Sequence, residues 1–126
     1  MEAINCNVLS KKKCRPCEGG VAPMSAQQAR EYLKVLEGWQ LSQDGRSISK
    51  RYVMKNFMAA IQLMNKIAGI AEAEDHHPDL HLTGYRKLQV ELSTHAIKGL
   101  SENDFILAAK IEALPKELKN NSIPVT

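Results

Sequence analysis

The sequence predicts an α+β domain, an antiparallel sheet with helices on one face, in the order α-β-β-α-β-β-α. Three observations point there. Residues 87–94 alternate strictly, with Leu88, Val90 and Leu92 on one face and Lys87, Gln89, Glu91 and Ser93 on the other, as a half-buried antiparallel strand does. Residues 57–70 are apolar at helical spacing. An Asp44-Gly45 pair separates two short strand-like runs and is a hairpin signal.

Taken in order, residues 1–23 show neither helical nor strand periodicity and are rich in Lys, Cys, Gly and Pro, so they read as a flexible, basic, Cys-containing tail. Ser25 with Gln28 forms a capping-box pattern. It opens a helix carrying Ala29, Tyr32, Leu33 and Leu36, with Gly38 as its stop. Trp39-Gln40-Leu41 is a short strand, and Ile48 to Val53 returns beside it after the Asp-Gly turn. Asn56 caps a second helix running to about Ala71. Only Gln62, Asn65 and Lys66 are clearly polar within it, which is more apolar surface than one docking stripe needs. A second face is therefore expected to be buried, with another subunit as the favoured cover and the chain's own tail as the alternative. Leu80 to Thr83 is a third strand turning at Gly84, and Lys87 to Thr94 is the fourth. Ser101, with Asp104 three residues on, caps a last helix that carries Phe105, Ile106, Leu107 and Ala109 towards Pro115. The folded domain is thus expected over 24–119, with 120–126 as a C-terminal tail.

The composition is ordinary for one domain of 126 residues: 44% hydrophobic, 25% charged and 5% aromatic. Net charge is +3, but Lys11, Lys12, Lys13 and Arg15 against Glu2 account for all of it, and residues 18–126 balance at 13 groups of each sign. Direct nucleic-acid binding is not expected of so neutral a domain. No apolar run is long enough to span a bilayer, so no membrane role is expected. Cys6, Cys14 and Cys17 all lie in the first 17 residues, an odd and tail-confined set that makes a poor disulfide framework. A reducing compartment, the cytoplasm, is the expected location, with a removed organelle-targeting peptide as the exception. Cys14-Arg15-Pro16-Cys17 has no second cysteine pair and no thioredoxin-like surroundings, so it reads as tail rather than as a redox or zinc motif.

All four histidines fall within residues 76–95: His76, His77, His81 and His95. Glu72, Glu74 and Asp75 precede the pair, and Pro78 stops a helix from running through it, placing His76 and His77 on a loop at a helix end. His95 ends the alternating strand. Imidazole titrates near neutrality, so such a cluster suits proton transfer with a carboxylate to orient or charge one ring. Three or four imidazoles with carboxylates also suit zinc, although no two histidines sit four apart on a clear helix. A chance meeting of surface histidines is the third reading.

The residues carry a resemblance. Glu72, three residues, His76-His77-Pro78, then Tyr85, His95 and Asp104 are similar in type and spacing to the signature of the pterin-4a-carbinolamine dehydratases. Leu92-Ser93-Thr94-His95, Gly99 to Asp104, Gly38-Trp39 and the long apolar helix also resemble family segments, and the similarity covers roughly residues 18–115. Ala96-Ile97-Lys98 departs from the acidic or Gly-rich run common in the family.

The resemblance implies a four-stranded antiparallel sheet with three helices packed on one face, and a homodimer or homotetramer formed partly through helix 56–71. It implies a hydro-lyase that removes water from 4a-hydroxytetrahydropterin to give quinonoid dihydropterin, in tetrahydrobiopterin recycling, with no metal and no cofactor. His76 and His95 would flank the carbinolamine as acid and base, with His77 also in the site. Glu72 would favour a cationic His or hold the pterin, and Asp104 would orient a partner while capping its helix. Trp39 would pack beside the pterin ring or anchor the core, and Ser93 and Thr94 would bond the ring edge. His81 is expected exposed on its strand. Animal relatives also act as dimerisation cofactors of a homeodomain transcription factor, which makes a non-catalytic protein-binding module the alternative.

Overall fold

A computed structural model of the chain describes residues 6–14 and 22–119. The elements are α1 (Cys6–Lys11), α2 (Ala26–Leu33), β1 (Gln40–Leu41), β2 (Ile48–Val53), α3 (Phe57–Glu74), β3 (Asp79–Thr83), β4 (Lys87–Leu92), a 3-10 turn (His95–Ile97) and α4 (Glu102–Glu112). The four strands form one antiparallel sheet in the order β1-β2-β4-β3.

The alternation in β4 sets the register. Ile48 faces Leu92 and Tyr52 faces Leu88 across the β2 pairing, while Leu80 faces Val90 across the β3 pairing. Leu88, Val90 and Leu92 are therefore buried on one face of the sheet, and Lys87, Gln89 and Glu91 lie on the other. Helices α3 and α4 cover the apolar face. Leu63 and Ile67 of α3 and Phe105, Ile106 and Ile111 of α4 join Ile48, Tyr52 and Leu88 in one core.

The caps follow the sequence. Ser25 Oγ accepts the Gln28 N–H at 3.1 Å and the Gln28 side chain accepts the Ser25 N–H, also at 3.1 Å. Asn56 Oδ1 accepts the Ala59 N–H at 2.8 Å. The first of these helices stops at Leu33, earlier than Gly38, and turns carry the chain on to β1. Gly38, in the turns that lead to β1, holds a left-handed φ of +87°, a conformation that favours glycine. α3 continues past Ala71 to Glu74.

Two placements differ from the sequence reading. Within the tail, α1 is a folded element: Leu9 is 2% exposed in the core and the segment packs on α4. Six residues are too short to show periodicity, and such a helix is held by burial rather than by propensity. The helix buried on nearly every side is consequently α4, whose residues 103–109 are all buried, and α1 is part of its cover. α3 keeps Phe57 48% and Met58 60% exposed at its start. Cys17 and the 120–126 tail lie outside the described residues.

Candidate active site

α3 ends on Asp75, whose backbone is left-handed (φ 53°), and the His76 N–H bonds back to Ala71 O at 3.1 Å. This is a Schellman-type stop with Asp in the place usually taken by Gly. It turns the chain so that His76 and His77 leave the helix in different settings. His76 points inward, 12% exposed, with Nε2 2.6 Å from Asp104 Oδ1. His77 is exposed and its Nε2 pairs with the still more exposed Glu72.

Asp104 is fully buried at the start of α4, yet its oxygens are well supplied. Oδ1 faces His76, while Oδ2 accepts the Thr94 hydroxyl at 2.8 Å and the Ser101 N–H at 3.0 Å. One carboxylate thus caps its own helix and holds an imidazole. Thr94 is tied further, its N–H donating to Gly99 O at 2.8 Å. A Cβ on Gly99 would stand 2.5 Å from Pro23 Cβ, so only glycine lets this loop close under residue 23. His95 follows on the 3-10 turn, exposed.

These pieces surround a pocket of about 450 Å³ lined by His76, His77, His95, Ser93, Thr94 and Ala96, together with Cys14, Glu74, Asp75 and Asn103. Three of the four histidines meet there; His81 is exposed on β3, 4.0 Å from Glu91. Glu72 reaches the neighbourhood only through His77 and is not in the lining. Trp39 is elsewhere, 5% exposed in the core, with its indole N–H donating to Glu112 Oε1 at 3.1 Å. The core-anchor alternative therefore describes its place. Tyr85 sits 57% exposed at the tip of the β3–β4 hairpin. The Thr94 hydroxyl and N–H are already used within the protein, which leaves Ser93 as the polar side chain of that pair facing the pocket.

Sequence reasoning gave no site role to Cys14, Glu74, Asp75, Ala96 or Asn103, all of which line the pocket. Glu74 lies two residues beyond Glu72, on a different face of α3, and turns inward, its Oε1 accepting the Cys14 N–H at 2.7 Å. Burial first, and then the nearby Glu74 and Asp104 carboxylates, push the Cys14 thiol up to about 12. It stays a neutral thiol at ordinary pH.

A family model for pterin 4 alpha carbinolamine dehydratase matches residues 22–114. The chain belongs to this dehydratase family. A relative from Halorhodospira halophila named for pterin-4-alpha-carbinolamine dehydratase is 51% identical over 106 residues, covering 84% of this chain and 96% of the relative. One from Nitrosomonas eutropha, named likewise, is 50% identical over 107 residues, or 84% of this chain and 92% of the relative. The mitochondrial pterin-4-alpha-carbinolamine dehydratase 2 of Arabidopsis thaliana is 44% identical, with 86% of this chain and 60% of that protein covered. Among solved structures, the transcriptional coactivator/pterin dehydratase from Brucella melitensis superposes with a TM-score of 0.68 at 32% identity, covering 72% of this chain and 96% of that one. In the pterin dehydratase family member described here, the family match includes every histidine of the pocket.

Proposed function

We propose that this chain removes water from a 4a-hydroxytetrahydropterin by histidine acid–base catalysis, yielding the quinonoid dihydropterin in tetrahydropterin recycling. The observation that carries the reading is the convergence of His76, His77 and His95 on one pocket, with His76 anchored to a buried carboxylate. Family membership supplies the substrate class.

The elimination breaks the C4a–O and N5–H bonds and forms the C4a=N5 double bond. An imidazolium protonates the departing hydroxyl, which leaves as water, and a neutral imidazole takes the N5 proton. His76 and His95 make this pair, the face of the carbinolamine deciding which gives and which takes. Asp104 holds His76 through Nε2, so the ring exchanges protons with substrate through Nδ1. His77, backed by Glu72, lines the entrance, and Ser93 bonds the ring edge. Neither a metal nor a cofactor is required by these steps.

Phe57 and Met58 expose an apolar start to α3, and we place the contact between copies of this chain there. Among the described residues no helix is long and apolar enough to cross a membrane; the cytoplasm is the compartment this reading assigns.

The test is direct. Adding the protein to a 4a-carbinolamine generated chemically in the cuvette speeds the appearance of quinonoid dihydropterin in proportion to protein concentration. The same decay with and without protein contradicts the reading.

A further inference from the structure

Residues 8–14 approach the pocket along α4 and are fastened at four points. Leu9 is buried in the core, and Lys110 Nζ donates to Ser10 O at 2.8 Å. Lys12 pairs with Glu102 at 3.0 Å. At the end of the segment the Cys14 N–H donates to Glu74 at 2.7 Å, and its Sγ lies 3.6 Å from Asn103 O. Cys14, Glu74 and Asn103 all line the histidine pocket, so the segment connects the end of α3 to the start of α4 at the pocket's edge. The family match begins only at residue 22.

We infer that Cys14, held in place by residues 8–13, is a wall of the substrate pocket, setting the room available to the pterin while its backbone N–H positions Glu74. The inference rests on the dehydratase reading. Glu74 is occupied from two sides, by the Cys14 N–H and by Lys110 Nζ at 3.8 Å, which fixes its carboxylate at the pocket's edge. The thiol itself stays protonated, which makes this wall small and uncharged rather than nucleophilic. Cys14 acts here as a size-determining residue for the ligand, with no part in the proton transfers.

The experiment compares the full chain with Cys14→Trp and Cys14→Ser in the carbinolamine assay. Cys14→Trp puts bulk into the pocket and raises KM about tenfold with kcat little changed, whereas Cys14→Ser keeps the size and the wild-type KM. A merely structural role moves the melting temperature and leaves KM alone. A folded Cys14→Trp with wild-type KM overturns the wall while leaving the dehydratase reading intact; absence of turnover in the unaltered chain overturns both. Should Cys14→Trp not fold, a Cys6→Ser, Cys17→Ser background leaves Cys14 as the only thiol, and its alkylation by iodoacetamide at alkaline pH is followed by mass spectrometry. A saturating stable 7,8-dihydropterin slows that alkylation severalfold if Cys14 lines the site. An unchanged rate overturns the inference.

Discussion

Asp104 has no exposed surface and receives a His ring, a hydroxyl and a backbone N–H. Asp104→Asn turns an NH2 group towards His76, which either meets Nε2–H as a second donor or drives the ring into the tautomer whose Nε2 accepts. Loss of about 1–3 kcal/mol of stability follows from the weakened buried contact. kcat/KM should fall about 100-fold because the His76 ring loses its orientation. Thermal unfolding and steady-state kinetics on the same preparation check both. Glu112 is a second carboxylate hub, serving the core rather than the pocket. Burial raises its pKa, but hydrogen bonds from Lys50, Tyr52 and Trp39 outweigh this and hold it below the usual carboxylate range. A carboxylate depressed on folding contributes stability above its unfolded pKa, and the contribution fades as pH falls through the folded value. Glu112→Gln should therefore be less stable than wild type at neutral pH, by a margin that narrows towards about pH 3 in urea unfolding. A margin independent of pH would contradict this role.

At the scale of elements, β2 and β4 were readable to within a residue or two because a period of two, with one face buried, leaves little choice of register. The Ser25 and Asn56 caps were legible for a similar reason, since a short polar side chain before an apolar run has one local use. α1 was not legible. Its place depends on Leu9 entering a core assembled from the other end of the chain, and nothing local records that. Trp39 illustrates the same limit: an indole suits a flat ligand and a core equally, and only the position of Glu112 separates the two. Two predictions belong here. At the left-handed Asp75, Asp75→Val should cost about 1–2 kcal/mol while Asp75→Gly is tolerated, as chemical denaturation will show. On the exposed start of α3, Met58→Glu should shift the protein towards smaller species in sedimentation velocity at micromolar concentration. Identical sedimentation of the two proteins would remove this face from the contact between copies.

For the whole molecule, the sheet and helices act as a frame that brings a helix end and a strand end together. Residues 76 and 95 lie on separate elements and share a pocket because β3 and β4 return the chain beneath the end of α3. The histidine cluster was visible in the sequence as crowding, but its division was not. Only the fold shows that His76 turns inward onto the buried Asp104, His77 is exposed on Glu72, and His81 stays on the outer strand. The carboxylates lining the pocket are Glu74 and Asp75 rather than Glu72, a distinction set by where α3 ends. The neutral charge balance of residues 18–126 fits a domain whose site takes a small heterocycle. The measurement that bears most directly on this account is the rate of carbinolamine dehydration by wild type, His76→Ala and His95→Ala, each shown to be folded by circular dichroism. Loss of either imidazole should lower kcat/KM by about 10²–10⁴-fold. A folded variant lacking either histidine that retained wild-type kcat/KM would contradict the acid–base pair.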